Sequence, residues 1–279
     1  MRLLHLSDLH FGRLASRTIV ADLLAETHRQ APDLIVVSGD LTQRARPSQF
    51  RAAHAFLESL PAPWLAVPGN HDVYPWWRPL SRLWRPLARY HRYITRTLRP
   101  SWVTDTVAVL GLNTAYGSTI KGGRLTSADL TYLQTFFAAA PPQALRILVI
   151  HHHLVQLQAI GPHDVVREAQ RALEAVTQAG VDVILCGHLH IAHIAPVFLQ
   201  PNHQLLVVSA GTATSSRGRG PHRRQNFYNL LHISSAGLRI ETYRYQPPMR
   251  TFTLMQSATF ERQGARLVFK AASAFGLSP

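Results

Sequence analysis

The sequence is poor in cysteine, since Cys186 is the only one among 279 residues. A single thiol excludes an intrachain disulfide, which fits a reducing compartment. Cys186 ends an apolar run directly before Gly187, and that position is typical of a buried structural thiol. Neither a disulfide-stabilised fold nor cysteine catalysis is therefore expected.

Long apolar runs are also lacking, although 46% of the residues are hydrophobic, as in globular proteins. No stretch approaches the roughly 18 uninterrupted apolar residues that suggest a membrane span. The first candidate motif begins at Asp8, which leaves no room before it for a signal peptide. We therefore predict a cytoplasmic protein, with peripheral membrane contact as the alternative.

Acidic residues and lysine are scarce. The chain has 15 Asp and Glu against 29 Lys and Arg, which gives a net charge of +14, and Lys121 and Lys270 are the only lysines. Such a basic surface attracts polyanions, so nucleic acid, an anionic membrane surface and nucleotides are candidate partners. An arginine-rich coding bias explains the charge equally well, because the arginines are spread along the chain with only two local concentrations.

What the sequence does contain is a set of five short apolar runs, each ending in side chains that bind metals. Continuous runs of this kind favour strands that are covered on both faces. If these strands share a sheet, their ends converge on one edge, where open α/β folds place their sites. The polar residues at the run ends are Asp8 and His10, Asp40, Asn70, His151 to His153, and His188 and His190.

The loop Gly69-Asn70-His71-Asp72 follows the third of these runs. Alone, a Gly-Asn pair after a strand usually indicates a turn, because both residues tolerate positive φ. Together with the other four run ends it becomes part of a set of carboxylate, imidazole and amide ligands.

The order of the elements predicts the fold class. The first part of the chain reads strand, helix, strand, helix, strand, which indicates a parallel sheet covered by helices. After His190 the pattern changes to strands without helices, which indicates a second sheet packed on the first. No interdomain linker or internal repeat interrupts residues 1–279, so we predict a single domain. The predicted strands after His190 are Ile194 to Leu199, Leu205 to Ser209, Phe227 to Ile233, Leu238 to Tyr245 and Met249 to Met255.

The ordered blocks Asp8-Leu9-His10, Gly39-Asp40, Gly69-Asn70-His71-Asp72, His151-His152 and Gly187-His188-Leu189-His190 resemble those of the calcineurin-like metallophosphoesterase superfamily. Chain length and the wording Ser38-Gly39-Asp40-Leu41-Thr42 are most similar to the bacterial class III cyclic nucleotide phosphodiesterases. The resemblance implies a four-layer α/β/β/α sandwich, in which two mixed sheets are flanked by helices.

The resemblance also implies a ligand set for two divalent metal ions. Asp8, His10 and His190 would hold one ion, Asn70, His151 and His188 would hold the other, and Asp40 would bridge them. Ligands two residues apart on an extended strand end project to the same side. A nitrogen and oxygen donor set without thiolate suits Mn, Fe, Zn or Co.

By the same resemblance, the reaction is in-line attack of a metal-bridging hydroxide on phosphorus. His71 would stabilise the transition state or protonate the leaving oxygen, and Asp72 would orient His71. The roles of His152 and His153 stay open, because three consecutive histidines leave the register ambiguous; we take His151, which ends the strand, as the ligand.

Residues 74–102 form the most unusual segment, with four of the five tryptophans interleaved with arginines. From Pro79 to Leu98, apolar residues recur at spacings of three and four, which predicts one amphipathic helix. Either this helix packs its apolar stripe on the core, or it is a lid that grips an anionic or lipid-bearing substrate. The segment also offers a surface for a homodimer.

The second concentration of arginine, Ser215 to Arg224, has the composition of a flexible surface loop. Its Gly-Arg pairs also occur in nucleic-acid binders, but a mobile surface loop is the favoured interpretation.

Four functions remain open at this point. The favoured one is a phosphodiesterase that cleaves a small anionic phosphodiester such as a cyclic nucleotide. The alternatives are a pyrophosphate or phosphodiester hydrolase for a lipid-linked substrate, a nuclease of the SbcD type, and a non-catalytic scaffold. A scaffold would have lost ligands, whereas every expected ligand is present.

Overall fold

The computed structural model describes residues 1–119, 122–157, 161–200, 203–264 and 266–274. Thirteen strands form two sheets. Their bounds are β1 Arg2–Leu6, β2 Leu34–Val37, β3 Trp64–Ala66, β4 Ser101–Val103, β5 Val107–Gly111, β6 Leu145–Val149, β7 Val183–Cys186, β8 Ala192–Gln200, β9 His203–Ala210, β10 Phe227–Ser234, β11 Gly237–Gln246, β12 Thr251–Gln263 and β13 Arg266–Ala274.

The order of strands places the predicted ligand-bearing run ends side by side. The seven-stranded sheet has the order β13-β12-β11-β10-β1-β2-β3, and the six-stranded sheet has the order β4-β5-β6-β7-β9-β8. Strands β1, β2 and β3 are parallel neighbours in the first sheet, as β6 and β7 are in the second. The carboxyl ends of these five strands therefore lie at matching edges of their sheets.

In the described part of the chain, six α-helices connect and cover the strands. Helix α5 begins in a capping box, in which the backbone amide of Asp129 donates to the Thr126 hydroxyl. Pro47 occupies the first turn of α2, a position that needs no amide proton. The bounds are α1 Ile19–Gln30, α2 Pro47–Glu58, α3 Pro79–Trp84, α4 Ala88–Tyr93, α5 Ser127–Ala138 and α6 Ala169–Gln178.

Three buried apolar clusters define the layers. One lies between the sheets and includes Val36 of the first sheet and Ile147 of the second. A second joins the outer face of the first sheet to α1, α2 and α4, and the third joins the outer face of the second sheet to α5 and α6. Because side chains alternate between the two faces of a strand, each strand contributes both to the cluster between the sheets and to a cluster under the helices. The predicted fold class, two packed mixed sheets flanked by helices, is confirmed.

The prediction of one helix from Pro79 to Leu98 is wrong. The segment contains two short helices, α3 and α4, that are separated at Arg85, Pro86 and Leu87. Proline lacks the amide proton that a continuous helix needs and restricts the residue before it, and Arg85 accordingly leaves the helical region with φ −142° and ψ 58°.

The predicted apolar stripe divides at the same place. Leu87 and Tyr90 are buried against the first sheet, whereas Leu80 and Leu83 are exposed. Packing on the core is therefore the correct interpretation for α4 but not for α3.

Two further features concern the rest of the chain. Strand β12 continues well beyond the predicted end at Met255, and β13, for which no strand was predicted, pairs with it. Among the described helices, none is long and apolar enough to cross a membrane.

Candidate dinuclear metal centre

The two sheets bring seven predicted ligands to one place. The first sheet supplies the residues that follow β1, β2 and β3, and the second supplies those that follow β6 and β7. All but one are buried. The residues are Asp8, His10, Asp40 and Asn70 from the first sheet, and His151, His188 and His190 from the second.

One group of ligand atoms contains Asp8, His10 and His190. The Nε2 atoms of His10 and His190 are 3.1 Å apart. Asp8 Oδ1 lies 3.0 Å from His190 Nε2 and 3.5 Å from His10 Nε2. Three donor atoms that converge in this way can bind a common ion.

A second group contains Asn70, His151 and His188. The Oδ1 atom of Asn70 lies 3.2 Å from His151 Nε2 and 3.1 Å from His188 Nδ1. An amide oxygen and two imidazole nitrogens are suitable ligands for a borderline divalent metal.

Asp40 lies between the two groups. Its Oδ2 atom is 3.5 Å from His10 Nε2 in the first group and 3.4 Å from His151 Nε2 in the second. Its other oxygen accepts a hydrogen bond of 2.8 Å from the backbone amide of His71, which fixes the carboxylate. This is the position that a bridging carboxylate requires.

The ligands lie two to four residues beyond the ends of their strands, and the backbone is left-handed at most of them rather than extended as their spacing predicted. Such φ values are uncommon outside glycine and concentrate at functional sites. The φ angles are 52° at Asp8, 46° at His10, 54° at Asp40, 68° at His188 and 58° at His190.

Two glycines of the motifs are required by close packing. A Cβ atom on Gly69 would lie 2.2 Å from Asp40 Oδ1, and one on Gly187 would lie 1.8 Å from Ser7 Oγ and 2.5 Å from Asp8 Oδ2. Any larger residue would push the carboxylates out of place.

The buried polar atoms of the site fit metal binding. Among the residues that the structure describes, Asp8 Oδ1 and His152 Nε2 are buried and make no hydrogen bond of suitable geometry, although two imidazole nitrogens lie within 3.5 Å of Asp8 Oδ1. Buried polar atoms normally have such a partner. Burial lowers the pKa of His10 to about 4 and that of His188 to about 3. The neutral imidazole that results is the form that binds metals. The donor set therefore fits two divalent ions.

His151 differs from these two histidines. Burial is the largest single influence and opposes its charged form, but Asp40, Asp8 and the carbonyl of Ser38 together raise the pKa of His151 to about 9. The ring also contacts the carbonyl of Ser38 through Nδ1 at 2.8 Å. With Nδ1–H donating there, Nε2 faces Asp40 and Asn70, which supports the register that takes His151 as the ligand.

His152 and His153 lie behind His151. Nδ1 of His152 is 2.8 Å from the Thr114 hydroxyl, and the residue forms a cluster of potential metal ligands with His151 and His188. His153 contacts the carbonyl of Gly187 at 3.2 Å and supports the turn that carries His188. The ring of His152 packs against those of His151 and His188, whereas the ring of His153 packs against His163.

His71 lies beside the centre, but Asp72 does not hold its ring. Nδ1 of His71 is 2.7 Å from the carbonyl of Gln43. The Asp72 carboxylate accepts instead from the amides of Leu41, Thr42 and Gly69. The predicted contact is wrong: Asp72 ties the loop after β2 to the loop after β3, and Gln43 orients His71.

The loop predicted to be a mobile surface segment, Ser215 to Arg224, reaches the site. Nη1 of Arg217 lies 3.0 Å from His71 Nε2, and Nδ1 of His190 lies 2.8 Å from the carbonyl of Arg217. Ser215 is fully buried. The first half of the loop is therefore part of the site.

A family model described as "Calcineurin-like phosphoesterase" matches residues 1–192, which include every ligand named above. The chain belongs to the calcineurin-like phosphoesterase family. Membership confirms the resemblance found in the sequence and supports the predicted class of metal-dependent phosphoesterase.

Several curated phosphodiesterases resemble the chain. The glycerophosphodiester phosphodiesterase GpdQ of Enterobacter lignolyticus is 37% identical over 82 residues, 26% of this chain and 30% of that protein. A probable cyclic nucleotide phosphodiesterase of Rhodococcus erythropolis is 26% identical over 212 residues, 69% of this chain and 66% of that protein. CpdA of Escherichia coli K12, a 3′,5′-cyclic adenosine monophosphate phosphodiesterase, is 25% identical and covers 58% of this chain and 56% of that protein. The matches thus span between 30% and 66% of these relatives.

Solved structures show the same fold. Purple acid phosphatase PPD1 from yellow lupin has a TM-score of 0.69 at 14% identity, covering 94% of this chain and 54% of that one. A dimetal phosphatase from Danio rerio has a TM-score of 0.63 at 11% identity, covering 87% of this chain and 95% of that one. At these identities the likeness is one of fold.

In this family member the centre opens into a cleft of about 620 Å³. Two acidic residues, Asp40 and Asp164, line this cleft. Five arginines line it as well, so the cleft favours anionic ligands. These are Arg13, Arg44, Arg82, Arg217 and Arg219.

Sequence reasoning missed two residues that shape this site, Gln43 and Arg217. Gln43 acts through its backbone carbonyl, which leaves no trace in the side-chain pattern. Arg217 lies 27 residues beyond His190 in a segment whose glycines and arginines are also typical of loops. The only available signal was its positive charge, one of many in this chain.

Proposed function

We propose that the protein is a metal-dependent phosphodiesterase that cleaves a small phosphodiester such as a cyclic nucleotide. The observation that carries this proposal is the position of the Asp40 carboxylate between two groups of ligand atoms. Two divalent ions held there would polarise the phosphoryl group and supply the nucleophile at neutral pH. Mn, Fe, Zn and Co all suit the donor set.

The chain itself contributes a positive charge, the Arg217 guanidinium, beside the proposed metal centre. His71 donates from Nδ1 to Gln43, so the Nε2 atom of the neutral ring accepts from Arg217. Burial first, and Arg217 as a further cause, lower the pKa of His71, against the opposing effect of Asp40. A neutral His71 then holds Arg217 over the centre.

Arg217 is in turn suited to contact the phosphoryl oxygens. Its guanidinium can donate two hydrogen bonds in a fixed fork to non-bridging oxygens, where negative charge develops in the transition state. We therefore assign stabilisation of the transition state mainly to Arg217 and its placement to His71. This replaces the role of proton donor that the resemblance suggested for His71.

A lipid-linked substrate is the second candidate, because one observation favours it. Trp76 and Trp77 line the cleft, and both are exposed. Indole rings at the mouth of a basic cleft suit a phosphodiester or pyrophosphate that carries an apolar chain.

The test is hydrolysis by the manganese-loaded protein of bis(p-nitrophenyl) phosphate, p-nitrophenyl phosphate, cyclic AMP, a UDP-linked lipid and single-stranded DNA. Asn70→Ala removes a proposed ligand, and Gln178→Ala, which changes an exposed residue, is the matched control. We expect diester cleavage by the wild type and by the control, and its loss in Asn70→Ala. The preferred substrate distinguishes a small-diester phosphodiesterase from a hydrolase of lipid-linked substrates and from a nuclease. A complete absence of metal-dependent turnover on all five substrates would contradict the proposal.

A further inference from the structure

Helix α3 and Trp76, which precedes the helix, present large apolar side chains to solvent. We call four of them the α3 ridge. Each is more than two-thirds exposed, although three are within the six-residue helix itself. The members are Trp76 (76% exposed), Leu80 (75%), Leu83 (70%) and Trp84 (78%).

The ridge differs from the other exposed apolar residues of the described chain. Trp77, which is 43% exposed, adjoins the ridge, whereas Val103, Tyr132, Met249 and Phe269 lie in separate parts of the chain. Single exposed apolar side chains are normal. Four within nine consecutive residues form a contiguous patch, which marks an interaction surface.

The ridge is held away from the core by its own chain. Nε and Nη1 of Arg82 in α3 donate to the carbonyls of Gly117 at 3.0 Å and Tyr74 at 2.6 Å, and Nη2 donates to the carbonyl of Thr119. These bonds satisfy the guanidinium on the protein side of α3. The opposite side, with Leu80 and Leu83, is thereby fixed toward solvent.

The charge around the ridge has a single sign. Residues 73–104 contain no Asp or Glu. They contain seven arginines, of which Arg78 and Arg85 are exposed on either flank of α3. A second copy of the chain would bring two such surfaces together across a two-fold axis and set arginine against arginine. The charge thus opposes a homodimer through this surface.

An anionic lipid surface complements both properties. Indole rings favour the boundary between headgroups and acyl chains, and leucine is buried below it. Arginines near the surface add attraction to anionic headgroups. We propose that the α3 ridge and its flanking arginines dock the protein on an anionic phospholipid bilayer.

The α3 ridge adjoins the cleft that contains the candidate metal centre, because Trp76 belongs to the ridge and also lines that cleft. Docking therefore places the mouth of the cleft at the level of the headgroups. The attachment itself needs no substrate and is independent of the proposed phosphodiesterase activity.

The experiment is co-sedimentation of the wild-type protein with vesicles of pure phosphatidylcholine and with vesicles of phosphatidylcholine and phosphatidylglycerol. We expect binding to the mixed vesicles only, and we expect it to weaken as salt is added. Leu80→Ser/Leu83→Ser should lower the partition coefficient by at least about tenfold, because two leucines no longer insert. Arg78→Gln/Arg85→Gln should reduce the preference for the anionic vesicles.

The matched control is Met249→Ser/Phe269→Ser, which removes two exposed apolar residues far from α3 in the sequence and should bind as the wild type does. All variants change exposed side chains, so equal thermal unfolding and equal hydrolysis of soluble bis(p-nitrophenyl) phosphate verify the fold. Equal binding to both vesicle types, or unchanged binding of the leucine variant, would overturn the proposal. So would dimerisation without vesicles that the leucine variant abolishes, since the ridge would then serve a second copy.

Discussion

At the scale of single residues, the ligands combine a strained backbone with buried charge. A left-handed φ at a non-glycine residue costs about 1–3 kcal/mol, and Asp8, His10 and Asp40 all adopt one. Hydrogen bonds between the loops hold them there: the amide of Asp8 donates to Gly39 at 3.0 Å, and that of His10 donates to Asp40 at 2.9 Å. The strain therefore serves to aim the side chains at a common point.

The first prediction concerns Arg217. Arg217→Gln removes the guanidinium that contacts His71, so kcat for bis(p-nitrophenyl) phosphate should fall roughly 10²-fold, as for other lost transition-state donors. Arg217→Lys should recover only part of the loss, because lysine lacks the fork. Steady-state kinetics with Arg223→Gln, a change of an exposed arginine in the same loop, as control provides the measurement. An unchanged kcat in Arg217→Gln would remove Arg217 from the mechanism.

The same pair supports a test by combined substitution. If His71 acts by placing Arg217, the double variant His71→Ala/Arg217→Gln should be little slower than the worse single variant, since residues that act as a unit are not additive. Multiplicative losses in kcat would show that the two side chains act separately.

The second prediction concerns His5 and acid stability. Burial lowers the pKa of His5 from 6.5 to about 3, with Asp8 opposing. The folded state therefore keeps His5 neutral while the unfolded state binds a proton below pH 6.5. Stability is full above that pH and falls as pH drops toward 3, by about 1.4 kcal/mol per pH unit for one proton.

In His5→Asn, the free energy of unfolding should fall less steeply between pH 6 and pH 4, by about 1.4 kcal/mol per pH unit, because one group fewer takes up a proton on unfolding. Urea unfolding of the metal-free proteins over this range is the measurement, and His54→Asn, which changes an exposed histidine, is the control. An identical slope in wild type and His5→Asn would contradict the expectation.

At the scale of elements, the sequence predicted strands most accurately where both faces of the strand are buried. The strands that deliver the ligands are continuous apolar runs, which their sequence pattern identified as strands. The prediction failed in residues 79–98, where spacing favoured one helix but Pro86 divides it. The position of Arg217 could not be predicted, because it depends on how the loop after β9 packs on the loop after β3, which carries His71.

A third prediction follows for α3. Arg82→Gln removes a side chain that ties α3 to three carbonyls, so the amides of residues 80–84 should exchange hydrogen faster, by an opening free energy lower by about 1–3 kcal/mol. Global unfolding in urea should change much less. The exposed Arg85, changed to Gln, is the control, and unchanged exchange in Arg82→Gln would show that α3 is held by other contacts.

At the scale of the whole molecule, the proposed centre joins two sheets that otherwise meet through apolar packing. The first sheet supplies Asp8, His10, Asp40 and Asn70, and the second supplies His151, His188 and His190. Ions bound across this boundary would stabilise the folded state by mass action, by about 2.7 kcal/mol at a concentration 100 times Kd. The centre would then contribute to stability as well as to catalysis.

The central claim is that one carboxylate, Asp40, bridges two ions in this cleft. The most direct measurement is the metal content of the purified, manganese-loaded protein, together with its rate on bis(p-nitrophenyl) phosphate. Asp40→Asn is the test variant, and Asp33→Asn, which changes an exposed carboxylate, is the control. We predict two ions per chain with turnover in the wild type and in Asp33→Asn, and a loss of both bound metal and activity in Asp40→Asn. Two ions and full activity in Asp40→Asn, or no bound metal in the wild type, would contradict the account.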